Sequence, residues 1–240
     1  LKALSEPDIY EVRPGSNLSR VASDLKGRGH LSHPLLLRLL ARWQGVGSTI
    51  QQGEYRLLPG MSAADLLGAM VNGETIQYRV TLLEGWTIRQ ALVALHGAEK
   101  IRHELAPDAS LTDIAMAMEL GRNNPEGLVF PDTYFYTKDT SDVEILRRGY
   151  QRLQAVLEQA WSTRLGALPY DTPYDALIMA SIIEKESAAA SERGHIAGVF
   201  VRRLEQGMRL QSDPTVIYGM GTDFDGDLRR ADLRTTTPYN

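Results

Sequence analysis

The sequence predicts an α+β fold in two parts: a small α+β module over residues 1–77 and a larger mixed α+β domain over residues 78–240, built around a central apolar helix. Three observations predict it. A strand-like run, a glycine turn and a short amphipathic helix recur in the first part. Longer helical patterns dominate the second. Among them, the helix that begins at Pro173 is apolar almost all round from Ala176 to Ile183, the pattern of a helix buried in a core.

The recurring unit is seen three times. Residues 9–12 lead into Pro14-Gly15 and an apolar stripe of Leu18, Val21, Ala22 and Leu25. Residues 55–58 lead into Pro59-Gly60 and Leu66, Leu67 and Met70. Residues 78–83 lead into Glu84-Gly85 and Ile88, Leu92 and Leu95, and open the second part. Ser16 or Asn17, Ser62 and Thr87 are placed to cap the three helices. Residues 34–43 give a further apolar-rich helix, and residues 111–120 a short one closed by Asn123-Asn124-Pro125. The aromatic stretch 130–136 reads as a loop or edge segment that packs in the core, with Tyr134 or Tyr136 as a groove residue. Residues 141–165 form one long amphipathic helix stopped by Gly166. Thr172, Pro173 and Asp175 make a strong helix start, and that helix is expected to run to about residue 190. Residues 191–206 give another helix. Residues 208–210 and 216–218 read as strands separated by a turn at Ser212-Asp213-Pro214.

Composition removes several functions. The 240 residues carry a formal net charge of -4 and no basic stripe, which argues against nucleic-acid binding. There is no cysteine, hence no disulfide framework, thiol nucleophile or cysteine–zinc site. No apolar stretch reaches the roughly 20 residues that a membrane-spanning helix requires. The chain begins at Leu1 without methionine, so a signal or anchor is expected upstream. His30, His33, His96, His103 and His195 are scattered and form no zinc-spaced pair, which points to surface or capping roles. Residues 223–227 resemble a calcium loop but lack its closing acid, and read as a turn.

The chemistry concentrates at the end of the helix from Pro173. Successive helical residues are about 100° apart, so Glu184 and Glu186 face opposite sides and cannot act as a pair at one bond. Glu186 shares its face with Met179, Ile182 and Ile183, and a carboxyl there is expected to be desolvated, as a general acid requires. Nearly the same holds for Glu184, which shares its face with Leu177, Ala180 and Ser181. Physical reasoning selects the helix end and leaves the choice between the two glutamates open.

Two long motifs extend this reading. Ala180-Ser181-Ile182-Ile183-Glu184-Lys185-Glu186-Ser187 is followed by Met208-Arg209-Leu210-Gln211-Ser212-Asp213-Pro214-Thr215-Val216-Ile217-Tyr218-Gly219. With Glu126-Gly127, Phe130-Pro131-Asp132-Thr133-Tyr134, Arg230-Ala231-Asp232-Leu233 and Thr237-Pro238-Tyr239-Asn240, they make a pattern that resembles the YceG-like family of bacterial endolytic murein transglycosylases. The resemblance covers essentially the whole chain.

It implies that residues 1–77 form a LysM-like glycan-binding subdomain and residues 78–240 the catalytic domain. It implies Glu186, immediately followed by Ser187, as catalytic acid/base, and Glu184 as a supporting residue. Gln211, Asp213, Tyr218 and Asn240 are implied as groove residues, with Ser187 and Glu126 as further motif positions at the site. The implied partner is the peptidoglycan glycan strand, and cell-wall synthases are implied as protein partners. No metal and no organic cofactor is implied. Membrane attachment is expected only through an N-terminal helix that precedes this chain, at the periplasmic face of the inner membrane. The family pattern continues beyond Thr237-Pro238-Tyr239-Asn240, so a further C-terminal part of the catalytic domain is expected. Two other activities fit the same residues: a hydrolytic muramidase, and a glycan-binding module without catalysis.

Overall fold

The computed structural model describes residues 6–187 and 189–239. The chain divides into two compact units. One holds residues up to Thr81 together with Ala94–Ala106 and Thr133–Asp142; the other holds Leu82–Val93, Pro107–Asp132 and the residues from Val143 onward.

In the first unit, β1 (Asp8–Val12) pairs antiparallel with β2 (Gly53–Leu57), with Tyr10 opposite Tyr55. Helices α1 (Leu18–Gly27), α2 (Pro34–Trp43) and α3 (Ala63–Asn72) complete this module. Its core includes Val21, Leu25, Leu57, Leu66, Leu67 and Met70, the apolar stripes expected from the helical spacing. Both Pro-Gly turns set glycine in the left-handed region, Gly15 at φ 71° and Gly60 at φ 82°, where a Cβ is strained. The chain then enters each helix through a cap. Asn17 accepts from Arg20 N at 2.9 Å, and Ser62 and Asp65 form a reciprocal capping box.

The second sheet of this unit pairs β3 (Tyr78–Thr81) antiparallel with β4 (Thr133–Tyr136). Strand alternation buries Tyr134 and Tyr136 and exposes Phe135, so neither tyrosine lines a groove and the core reading of this stretch holds. The Tyr136 hydroxyl donates to Glu99 O at 2.7 Å, and that of Tyr78 to Glu54 at 2.8 Å. Burial, reinforced by Glu54, pushes the Tyr78 phenol up to about 12.

Helix α4 runs over Ile88–His96, and its Thr87 and Gln90 cap one another at the N-terminus. In the second unit, α5 (Leu111–Ala117) carries a Ser110–Asp113 capping box, and α6 (Asp142–Ser162) is the long helix the sequence predicts. Helix α7 (Pro173–Glu186) starts at the Thr172–Asp175 capping box. It stops at Glu186, earlier than expected, because Ser187 turns to extended backbone (φ -144°, ψ 133°).

Three expectations are overturned by the structure. Helix α7 is not a buried core helix: Met179 is its only buried residue, and Ile178 is 45% exposed. Its apolar residues surround the helix, but α8 (Arg193–Glu205) and α9 (Asp213–Met220) pack on only part of that surface, and the residues left outside include the small Ala180 and Ser181. No strand forms at residues 208–210, and the strand expected at residues 216–218 is helical and belongs to α9. Asp213-Pro214 starts that helix, because a proline in the first turn needs no N–H partner and an acid there suits the helix dipole. No described helix is long and apolar enough to cross a membrane.

Candidate functional site

The motif that ends α7 and the motif that begins α9 meet at the C-terminal end of α7. Glu184 and Glu186 face different surroundings, as their helical spacing demands. Arg193, the first residue of α8, pairs with Glu184 at 2.9 Å. Glu186 Oε2 instead accepts from Ser212 Oγ at 2.8 Å. Ser212 is buried, so its hydroxyl is held in place, whereas Glu186 is exposed. The desolvation expected for Glu186 is therefore not provided by α7, whose Ile182 and Ile183 are only half-buried. The two glutamates left open by the sequence differ in kind: one is neutralised by an arginine, the other is presented to solvent on a single hydroxyl.

The segment that carries Ser212 is shaped for this contact. The Arg203 guanidinium donates to the Leu210 carbonyl just before the turn. Gln211 then adopts φ 53°, in the left-handed region that a residue with a Cβ enters at a cost of about 1–2 kcal/mol. Such a strained residue persists where its surroundings hold it, and functional sites are where such residues cluster. Gln211 is exposed and Asp213 is exposed in the first turn of α9.

Ser187 is engaged in the α7–α8 turn: its hydroxyl donates to Glu192 at 2.6 Å and accepts from Ala189 N at 3.1 Å. Tyr218 is exposed on α9 and meets Tyr239 edge-on at 5.2 Å. Gly219 permits that approach, since a Cβ there would lie 3.1 Å from Tyr239 Cβ. Partial desolvation of the phenol, which is only partly exposed, raises Tyr218 above its ordinary value, and the negative charge of Glu126 adds to the effect. The motif at 237–240 thus reaches α9 through Tyr239, while Asn240 lies outside the described residues.

Glu126 is the carboxylate that burial does affect. Desolvation raises its pKa, offset in part by hydrogen bonds from the Ile88 and Gly127 N–H groups and by the charge of Lys185. Its Oε1 accepts from Ile88 N at 3.0 Å, which ties the loop at 126 to the first turn of α4. The turn before α4 also approaches α7, since a Cβ on Gly85 would lie 3.5 Å from Lys185 Nζ. A carboxyl whose folded pKa is raised contributes most to stability below its unfolded value of about 4.3, and that contribution is lost as pH rises through the folded value. The neutral isostere Glu126→Gln is therefore expected to gain stability relative to the parent chain as pH rises. Urea unfolding at a series of pH values checks this; parallel pH profiles would show that burial of Glu126 carries no such penalty.

Sequence reasoning missed Arg193, Ser212 and Lys185 as neighbours of the glutamates. It also missed Trp86, which lines a shallow hollow with Thr87, Ile88, Pro125 and Val129 beside the Glu126 loop. The run of motifs contains Lys185 and Ser212, and nothing in spacing or composition pointed to Arg193 or Trp86.

The model of the YceG-like family matches residues 10–240. An endolytic murein transglycosylase of Bacillus subtilis strain 168 is 29% identical over 95% of this chain and 67% of its own length. One of Streptococcus pneumoniae serotype 2 strain D39 is 26% identical over 88% of this chain and 42% of its own length. The chain thus spans less than half of the pneumococcal relative. A crystal structure of a YceG-like protein from Listeria monocytogenes shares the mixed α+β fold, with a TM-score of 0.55 at 22% identity over 99% of this chain and 83% of that one. With the family pattern matched from Tyr10 onward and the fold shared along the same length, this chain belongs to the YceG-like family.

Proposed function

We propose that this chain is an extracytoplasmic lytic transglycosylase that cuts the β-1,4 bond between N-acetylmuramic acid and N-acetylglucosamine within peptidoglycan strands. The observation that carries the reading is the 2.8 Å hydrogen bond from Ser212 to Glu186, which joins the two longest family motifs at one exposed carboxylate. The neutralisation of Glu184 by Arg193 leaves Glu186 as the acid/base at this helix end. Endolytic murein transglycosylase is also the activity named for the Bacillus and Streptococcus relatives.

In this mechanism Glu186 donates a proton to the glycosidic oxygen as the C1–O bond breaks. The muramic acid 6-hydroxyl then attacks C1 and returns its proton to Glu186, giving a 1,6-anhydro end without water. The intramolecular nucleophile has a high effective concentration, so no second carboxylate has to activate water. Because Glu186 is exposed in the free chain, the bound glycan itself supplies the desolvation that favours proton transfer. Gln211, Asp213 and Tyr218 line the groove, Trp86 offers an aromatic face to a sugar ring, and residues 1–77 act as a LysM-like glycan-holding module.

Mass spectrometry of the soluble products from purified peptidoglycan tests this reading. Anhydro-muramyl ends support it, reducing ends would make the chain a hydrolytic muramidase, and glycan retention without products would make it a binding module. Removal of the supporting hydroxyl in Ser212→Ala is expected to lower turnover about tenfold to a hundredfold, the worth of one hydrogen bond to a charged group. Unchanged turnover in that variant would remove Ser212 from the site.

A further inference from the structure

The histidines that the sequence leaves scattered are not all apart in the fold. His96 ends α4, His103 lies seven residues on, and Asp142 opens α6; all three belong to the first unit. The two imidazole rings lie 4.3 Å apart with their planes 15° from parallel. One donor atom from each of the three side chains lies within 4.8 Å of the other two, and His103 Nδ1 is 3.9 Å from Asp142 Oδ2. Asp142 is fully buried, and its carboxylate accepts from Glu104 N at 3.1 Å and Leu105 N at 3.3 Å. His96 Nε2 is buried and has no hydrogen-bond partner among the described residues. A buried polar atom without a partner costs about 1–3 kcal/mol, and an ion is one of the few explanations for it.

We propose that His96, His103 and Asp142 bind one zinc-class divalent cation. Two imidazoles and a carboxylate are the donors that zinc takes from a protein when a water fills its fourth position. The backbone N–H groups of Glu104 and Leu105 fix the carboxylate, as partners of metal ligands do. Bonds of about 2.0–2.1 Å to a tetrahedral zinc hold donor atoms about 3.3 Å apart, so this cluster has to contract by no more than about 1.5 Å. The ring lone pairs lie in the ring planes, so the stack opens by side-chain rotation as the nitrogens converge. His103 is 39% exposed and gives the ion its way in. The ion would cross-link the end of α4, the segment at 103–105 and the head of α6, a structural clamp that takes no part in glycan cleavage.

The test is uptake of zinc by the chelator-treated, tag-free 240-residue chain, read by calorimetry and by competition with a chromophoric chelator. One zinc per chain is expected, with a raised melting temperature, since a ligand that binds only the folded state stabilises it by mass action. Cobalt in its place should show the strong visible absorption of a four-coordinate ion with nitrogen ligands. His96→Gln and His103→Gln should each weaken uptake at least about tenfold with unchanged circular dichroism, the scale of loss seen even for residues that only support a metal ligand. His195→Gln, in the second unit, should bind as the parent does. Absence of stoichiometric uptake, or full-strength uptake in either His96→Gln or His103→Gln, would overturn the site.

Discussion

Glu186→Gln is expected to abolish the release of anhydro-muramyl products from purified peptidoglycan. The amide keeps the shape of the side chain and can still accept from Ser212, but it can neither give a proton to the glycosidic oxygen nor take one from the 6-hydroxyl. Loss of a general acid/base lowers a rate by about 10²–10⁴-fold, enough to take product below detection in a fixed-time digest. Glu186 is exposed and, among the described residues, its side chain is hydrogen-bonded to Ser212, so the variant should fold with the circular dichroism and melting temperature of the parent chain. Glu184→Gln makes the internal comparison. It leaves Arg193 without its ion pair and should weaken the α7–α8 junction, yet some anhydro product should persist. If Glu184→Gln is silent and Glu186→Gln active, the acid/base assignment is reversed.

Leu25→Ala should cost the first unit a large share of its stability. Leu25 is 0% exposed, on the inner face of α1, within the cluster that includes Leu57 and Met70. Truncation of a buried leucine costs about 2–5 kcal/mol, part from lost burial and part from the cavity left behind. Against a total stability of about 5–15 kcal/mol that is a large share. Urea unfolding followed by tyrosine fluorescence should show a lower midpoint with an unchanged slope. An unshifted midpoint would mean that the core relaxes around the gap. Retention of the same variant on insoluble peptidoglycan, at urea concentrations where only the parent remains folded, tests whether the folded first unit holds glycan.

Much of this molecule is legible in one dimension. The helix starts at Asn17, Ser62, Thr87 and Thr172 follow from local hydrogen bonding, and each is found as a cap. The apolar stripes of α1 and α3 meet in a core because helical spacing puts them on one face. Strand alternation alone explains why Tyr134 and Tyr136 are buried and Phe135 is not. The motifs around Glu126, Glu186 and residues 208–219 carry family membership, since long runs of specific residues do not depend on how the chain folds.

What the sequence could not decide is set by side chains distant along it. Apolar composition implies burial only if partners surround the helix, and α8 and α9 leave part of α7 uncovered, so Glu186 is exposed where desolvation was expected. The difference between Glu184 and Glu186 is made by Arg193 and Ser212, nine and 26 residues away from their respective partners. His96, His103 and Asp142 have no spacing that marks them, because a cluster drawn from a helix end, a loop and another helix start leaves no period in the sequence. The sequence by itself determined the α+β class, the helix starts and the family. Only the tertiary structure decided which carboxylates are paired, buried or presented to solvent, because charge and desolvation depend on distance in space rather than on position in the chain.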